Sequence, residues 1–264
     1  MPAPLTRFIL RHSAQPHGPV GLMYHSVQPG RNKPDWPWAV SKQQFSEQLD
    51  VLAAEGYVTP TISELFTRSQ SWPERTALIT FDDGYADNLD ACAELQRRGM
   101  RATWYVVSGS VGKAPQWPDD GRPSGRMLNP SELCEMQAAG MEIGSHTVNH
   151  VRLTDVDDVR LMQELTDSKA ALEAILGKAV TSFAYPYGAW DARCAVAAQQ
   201  AGYTSACTTQ TGWALRDNTP FQLRRLTVFN TDTASMLVRK LYLGSHDARW
   251  QDIASSRLQR VRKS

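Results

Sequence analysis

The chain has 264 residues, 42% of them apolar and 21% charged, which suits an ordinary globular core and excludes wholesale disorder. Its 28 basic and 27 acidic side chains leave a formal net charge of +1, which supplies no global field for nucleic acid or an anionic membrane surface. No segment approaches the ~20 apolar residues of a membrane span, and the N-terminal apolar stretch is too short for a signal-peptide core, so a cytoplasmic location is expected.

Residues 1–18 are polar, contain Pro and His, and read as a loose arm. Val20 to Tyr24 is an apolar run of strand length that ends at His25. A loop rich in Pro and Trp follows from Gln28 to Trp38. Ser41 with Gln44 then forms a capping box for a helix with Phe45, Leu49, Leu52 and Ala53 at helical spacing, which Gly56 stops. Thr76 to Phe81 is a strand, and a helix runs from beyond Asp82-Asp83-Gly84 up to Gly99. Ala102 to Val107 is a strand, and Ser108 to Met127 is a long loop containing Trp117. Asn129 caps the next helix with Pro130 at its first position and Glu132 behind it, and Gly140 closes it. Met141 to Gly144 is a short strand running into His146.

Thr154 is expected to cap a long helix with Val159, Met162, Leu165, Leu172, Ile175 and Leu176 toward the core and Gly177 at its end. Val180 to Tyr185 is a strand with Pro186-Tyr187-Gly188 as its turn, and Asp191 starts a helix ending at Gly202. Tyr203 to Thr208 and Leu223 to Val228 are the last strands, Asp232 to Leu243 is helical, and residues 247–264 are a polar, basic tail. The four cysteines, Cys92, Cys134, Cys194 and Cys207, form no Cys-x-x-Cys pair, so buried or half-buried free thiols are expected. Strands alternating with helices throughout, without repeats or composition shifts, predict a parallel α/β architecture in one domain over residues 19–246. About seven or eight strands in this length favour a barrel over an open sheet.

Four polar clusters sit at the C-terminal ends of these strands, the end where α/β barrels carry their chemistry: His25, Asp82-Asp83, His146 to His150, and Tyr185 to Gly188. Two adjacent carboxylates at the mouth of an apolar strand are costly without a cation or hydrogen bonds to compensate them. Alternation along an extended chain points them apart, so one can bind a metal while the other faces a water. The plainer alternative is a cap for the following helix. His146 and His150 are four apart, which on a helical turn puts both rings on one face, a spacing that suits zinc. Two His and one Asp make a three-ligand site with open positions, the catalytic pattern of zinc sites. Two unrelated surface histidines are the alternative. The Pro186-Tyr187-Gly188 turn can present backbone N–H groups to a developing oxyanion, or can be an ordinary turn after a core strand.

Thr80-Phe81-Asp82-Asp83-Gly84, His146-Thr147-Val148-Asn149-His150 leading into Leu153, and Tyr185-Pro186-Tyr187-Gly188, in that order and spacing, resemble the polysaccharide deacetylase family with the NodB homology domain (carbohydrate esterase family 4). The resemblance covers roughly residues 20–230. The forms Phe183-Ala184-Tyr185 and Leu22-Met23-Tyr24-His25 are similar to members associated with bacterial surface-polysaccharide and lipopolysaccharide gene sets. The family implies a deformed (β/α) barrel and metal-dependent removal of acetyl groups from sugars. It implies Asp83, His146 and His150 as ligands of a divalent metal, usually zinc, Asp82 as general base, and the Tyr187 backbone N–H as an oxyanion donor.

The chain departs from the family pattern twice. Ala184 stands where many members carry an arginine that orients the base; Arg225 could supply that guanidinium, bind a phosphate or acidic sugar, or cap the sheet edge. The usual late Leu-x-His segment that supplies a general acid is not evident. His25 is the better-placed substitute and His246 a weaker one, while a core role for His25 remains the alternative. Trp36, Trp38, Trp104, Tyr105 and Trp190 near the site favour a sugar substrate, with core or loop anchors as the equal alternative.

The expected activity is hydrolysis of the N-acetyl group of an amino sugar in a bacterial glycan, glycolipid or biosynthetic intermediate. The rivals are an amidase or esterase on another substrate and a catalytically weak glycan-binding barrel. Of the remaining basic groups, Arg257, Arg260, Arg262 and Lys263 in the tail could touch a membrane surface.

Overall fold

The structure, a computed structural model, describes residues 18–68, 71–119 and 121–246. The N-terminal arm up to residue 17, with His12 and His17, and the basic tail from residue 247 lie outside the described residues.

Nine strands and seven α-helices alternate along the described residues. The strands are β1 (Val20–Tyr24), β2 (Ser26–Gln28), β3 (Ala39–Ser41), β4 (Ala77–Phe81), β5 (Thr103–Val106), β6 (Glu142–Ser145), β7 (Ser182–Ala184), β8 (Ser205–Cys207) and β9 (Leu226–Thr227). The helices are α1 (Lys42–Ala54), α2 (Ile62–Thr67), α3 (Asn88–Arg97), α4 (Pro130–Ala138), α5 (Asp158–Leu176), α6 (Ala192–Gln200) and α7 (Ala234–Leu243). Seven strands form one parallel sheet in the order β8-β7-β6-β5-β4-β1-β9, and β2 and β3 form a small ribbon of their own. The architecture is the expected α/β deformed barrel.

Runs such as Ala77 to Phe81 are buried along their whole length, as barrel strands covered by helices outside and by packed side chains inside must be. The curled sheet closes through residues 223–227. Leu223 bridges to Cys207 at the end of β8, and β9 pairs with β1 through Leu22↔Leu226 and Met23↔Thr227. Gly21 makes that closure possible: a Cβ there would stand 2.7 Å from the Arg224 carbonyl oxygen and 2.9 Å from Arg225 Cγ.

Several boundaries differ from expectation for local reasons. Asp157, not Thr154, caps α5 by accepting from the Arg160 amide, and residues 153–155 form a separate single turn. Val159 consequently points to solvent, 69% exposed, and does not join the core. Ser41 does cap α1, but Gln44 does not close the box; its amide reaches across to the Phe229 and Asp232 carbonyls. Helix α2, capped by Thr61 with Glu64 in a reciprocal box, was too short to register as a periodic pattern. The cysteines are all free, but Cys134 is exposed where burial was expected.

Candidate active site

Parallel pairing brings the polar strand ends together. In β1 and β4, Tyr24 lies opposite Phe81, so His25 and Asp82 follow side by side, and the Asp82 amide donates to the Tyr24 carbonyl at 2.9 Å. In β5 and β6, Val106 lies opposite Ser145, and the His146 amide donates to the Val106 carbonyl at 3.0 Å. The expected strand-end placement of the four clusters follows from this register.

Asp82 and Asp83 part company because Asp83 takes a left-handed conformation with φ 74°, followed by Gly84 at 92°. Asp82 meets Arg225 in a two-pronged ion pair, Nη1 to Oδ1 at 2.6 Å and Nη2 to Oδ2 at 2.8 Å. Arg225 also donates to Thr80 Oγ1 and the Thr208 carbonyl, and it is 1% exposed. Of the positions expected for it, beside Asp82 is the one it takes; a guanidinium so enclosed presents no surface to a phosphate or an acidic sugar. Burial alone would raise the Asp82 carboxyl, but the charge and hydrogen bonds of Arg225, with His146 and His25 nearby, hold it below the ordinary carboxylate range.

Asp83 is equally buried but lacks such a partner. Its Oδ1 lies 3.3 Å from His150 Nε2 and 3.6 Å from His146 Nε2, with no hydrogen-bond partner. His146 Nδ1 is 2.8 Å from the Ala184 carbonyl, which can only accept, so Nδ1 carries the proton and Nε2 presents a lone pair. Burial, partly offset by Asp82, pushes the His146 imidazole down to about 4, which keeps it neutral near pH 7. One atom from each of Asp83, His146 and His150 lies within 4.8 Å of the others. An orphaned buried carboxylate oxygen facing two imidazoles is a donor set that fits a divalent cation.

The two histidines do not sit on a helical turn, as the four-residue spacing suggested. Thr147 and His150 both have positive φ, 67° and 56°, and the loop is held open by Glu164. That buried carboxylate of α5 accepts from the Val148 and Asn149 amides and from Asn149 Nδ2 at 2.8–2.9 Å. The His150 ring packs 4.5 Å from both Trp117 and Tyr187.

Asp82, Asp83, His146 and His150 line one pocket together with His25, Trp36, Trp38, Asp119, Arg152 and Tyr187. Tyr187, at φ 58°, turns its ring outward and is 43% exposed, with the Arg152 guanidinium over it. Of the expected aromatics, Trp36 and Trp38 reach the pocket. Trp104 and Tyr105 are buried in the sheet, and Trp190 packs on Tyr185 away from the pocket lining. His246 also lies outside that lining; its Nδ1 accepts from the Thr227 amide at 3.3 Å. Asp119, Arg152 and Glu164 escaped the sequence reading. Only Glu164 left a signal there, an acid between Leu161 and Leu165 on the buried face of a helix.

The profile of the polysaccharide deacetylase family matches residues 69–206. The chain belongs to that family. The Bacillus subtilis (strain 168) protein YxkH, itself provisionally described as a polysaccharide deacetylase, is 32% identical over 211 residues, spanning 78% of this chain and 70% of the relative. BC0361, a polysaccharide deacetylase of Bacillus cereus, superposes with a TM-score of 0.71 at 25% identity over 84% of this chain and 68% of that one. The Streptococcus pyogenes deacetylase PplD shares the fold, with a TM-score of 0.74 at 24% identity over 86% of this chain and 99% of its own. The enzyme is accordingly a hydrolase of carbon–nitrogen bonds other than peptide bonds, from a family that depends on a metal. Among the described residues no helix is long and apolar enough to cross a membrane.

Proposed function

We propose that this enzyme removes the acetyl group from the nitrogen of an amino sugar in a bacterial surface glycan, a glycolipid or a biosynthetic intermediate, using zinc held by Asp83, His146 and His150. The observation that carries the reading is the split between two adjacent carboxylates: Asp82 is neutralised by Arg225, while Asp83 Oδ1 is left for a cation.

Bound there, the cation would polarise the acetyl carbonyl and acidify a water. Asp82, kept ionised and oriented by the Arg225 fork, takes the proton of the attacking water. The Tyr187 backbone N–H meets the developing oxyanion. His25, side by side with Asp82 at the mouth of the barrel, returns a proton to the departing amine nitrogen. Trp36, Trp38 and Tyr187 offer ring surfaces to the apolar faces of a sugar.

The test measures bound metal and then acetate release from N-acetylglucosamine oligomers, from nucleotide- and lipid-linked N-acetyl sugars, and from an O-acetyl sugar. Bound zinc with acetate released from an N-acetyl sugar is expected. Metal bound with release only from the O-acetyl sugar would make the enzyme an esterase, and release from no glycan would overturn the carbohydrate reading.

A further inference from the structure

The acid end of the site has an unusual anchor. Among the described residues His25 has no side-chain hydrogen bond to orient it: Nδ1 is buried without a partner, and its ring contact is an edge against Trp36 at 5.8 Å. Its position therefore depends on its main chain. Two consecutive residues of the segment that carries the base hold that main chain. Asn88 Nδ2 donates to the His25 carbonyl at 2.9 Å. Asp87 accepts from Ser26 Oγ at 2.5 Å and from the Val27 amide at 3.4 Å.

Asp87 is the more telling of the two. It stands at the N-cap of α3, the residue just before Asn88, where an aspartate ordinarily accepts from the amides of the first helical turn. Here it makes no such bond, and its two oxygens reach across 60 residues of sequence to the segment after His25. Asn88 is fully buried, and its amide orientation is set by the carbonyl it must meet with a donor. Both residues follow Asp82 and Asp83 by only a few positions, so one short loop ties the proton donor to the same rigid piece as the base and the metal ligand.

We propose that Asp87 and Asn88 are positioning residues for His25, setting the proton donor at a fixed place relative to Asp82 and acting on leaving-group protonation alone. This rests on His25 being the general acid. A misplaced donor slows the step in which the C–N bond breaks and a proton from His25 reaches the amine nitrogen. It does not slow loss of a leaving group that departs as a stable anion.

The experiment compares acetate release from an N-acetylglucosamine oligomer with release from p-nitrophenyl acetate, whose phenolate needs no proton, for wild type, His25→Ala, Asp87→Ala, the isosteric Asn88→Asp, and the His25→Ala/Asn88→Asp double variant. We expect kcat on the oligomer to fall by about 100-fold for His25→Ala and for the double variant, and by about 10-fold for Asp87→Ala and for Asn88→Asp, with less than about a 2-fold change on the ester. KM and metal stoichiometry stay unchanged, and the double variant falls no further than His25→Ala. Because each ratio comes from one preparation, partial unfolding cancels. Equal losses on both substrates for the Asp87 and Asn88 variants, or additive loss in the double variant, would reduce these residues to a structural role and overturn the proposal while leaving His25 as the acid. Equal losses on both substrates for His25→Ala would remove the acid itself, and the proposal with it.

Discussion

The two halves of the site are held in different ways. On one side, Asp82 and Arg225 bury a finished ion pair, a carboxylate and a guanidinium that satisfy each other within the fold. On the other, Asp83, His146 and His150 bury an incomplete set, with a carboxylate oxygen that has no hydrogen-bond partner facing two imidazole nitrogens. A buried carboxylate is tolerable only when compensated. The Asp82 half carries its compensation in the chain, whereas the Asp83 half lacks such a partner and offers a donor set that a divalent cation would complete. The contrast separates residues that prepare a base from residues that wait for a metal, and it does so for two neighbours in sequence.

The sharpest attempt to break this comparison exchanges each carboxylate in turn. Asp82→Asn should keep its metal stoichiometry and lose turnover by about 100-fold to 10,000-fold, the usual contribution of a general base. Asp83→Asn should lose the metal, and with it activity, as should chelation of the wild type. If instead Asp82→Asn released the metal in an inductively coupled plasma measurement, the two roles would be reversed.

A smaller effect is expected from Arg225→Met, which leaves the buried Asp82 carboxylate unpaired. Denaturant unfolding should show a loss of about 3–5 kcal/mol, with the metal still bound in whatever fraction remains folded. A loss within the ~0.5 kcal/mol of an ordinary surface substitution would mean that the ion pair does not hold the base half together. The least drastic change is Glu164→Ala on the metal half. It strips the acceptor from the 148–149 amides, so metal affinity should weaken by about 10-fold in competition titration, with the Asp82–Arg225 half untouched. An unchanged affinity would show that the left-handed ligand loop holds itself.

Much of this was legible along the chain because its signals are local. Asn129, Pro130 and Glu132 announced the start of α4, and the structure shows both halves of that capping box. Gly177, at φ 62°, ends α5 as expected. The apolar runs before His25, Asp82 and His146 marked parallel strands, and polar residues immediately after them marked the working face. The local signal failed where competing partners were available. Thr154 and Asp157 both suit a cap, and only the packing of the turn at 153–155 decided between them and left Val159 in solvent. Gln44 matched a box by spacing, but carbonyls more than 180 residues away took its amide.

By itself, the sequence determined the alternation of strands and helices, the strand ends at which chemistry gathers, and the Asp-His-His donor set, because strand and cap patterns and ligand types are properties of neighbouring residues. Three things were decided only in the tertiary structure. Arg225, for which the sequence left open a base orienter, a phosphate binder and an edge cap, became the partner of Asp82, 143 positions away, because residues 223–227 close the sheet against β1. His146 and His150 met through left-handed backbone instead of a helical turn, with the loop amides taken by Glu164 of the following helix. Asp87 left its own helix to hold the neighbours of His25, because parallel pairing of β1 with β4 brought them within reach. Pairings of this kind depend on which strands lie side by side, and strand order is a property of the whole chain, not of any window of it.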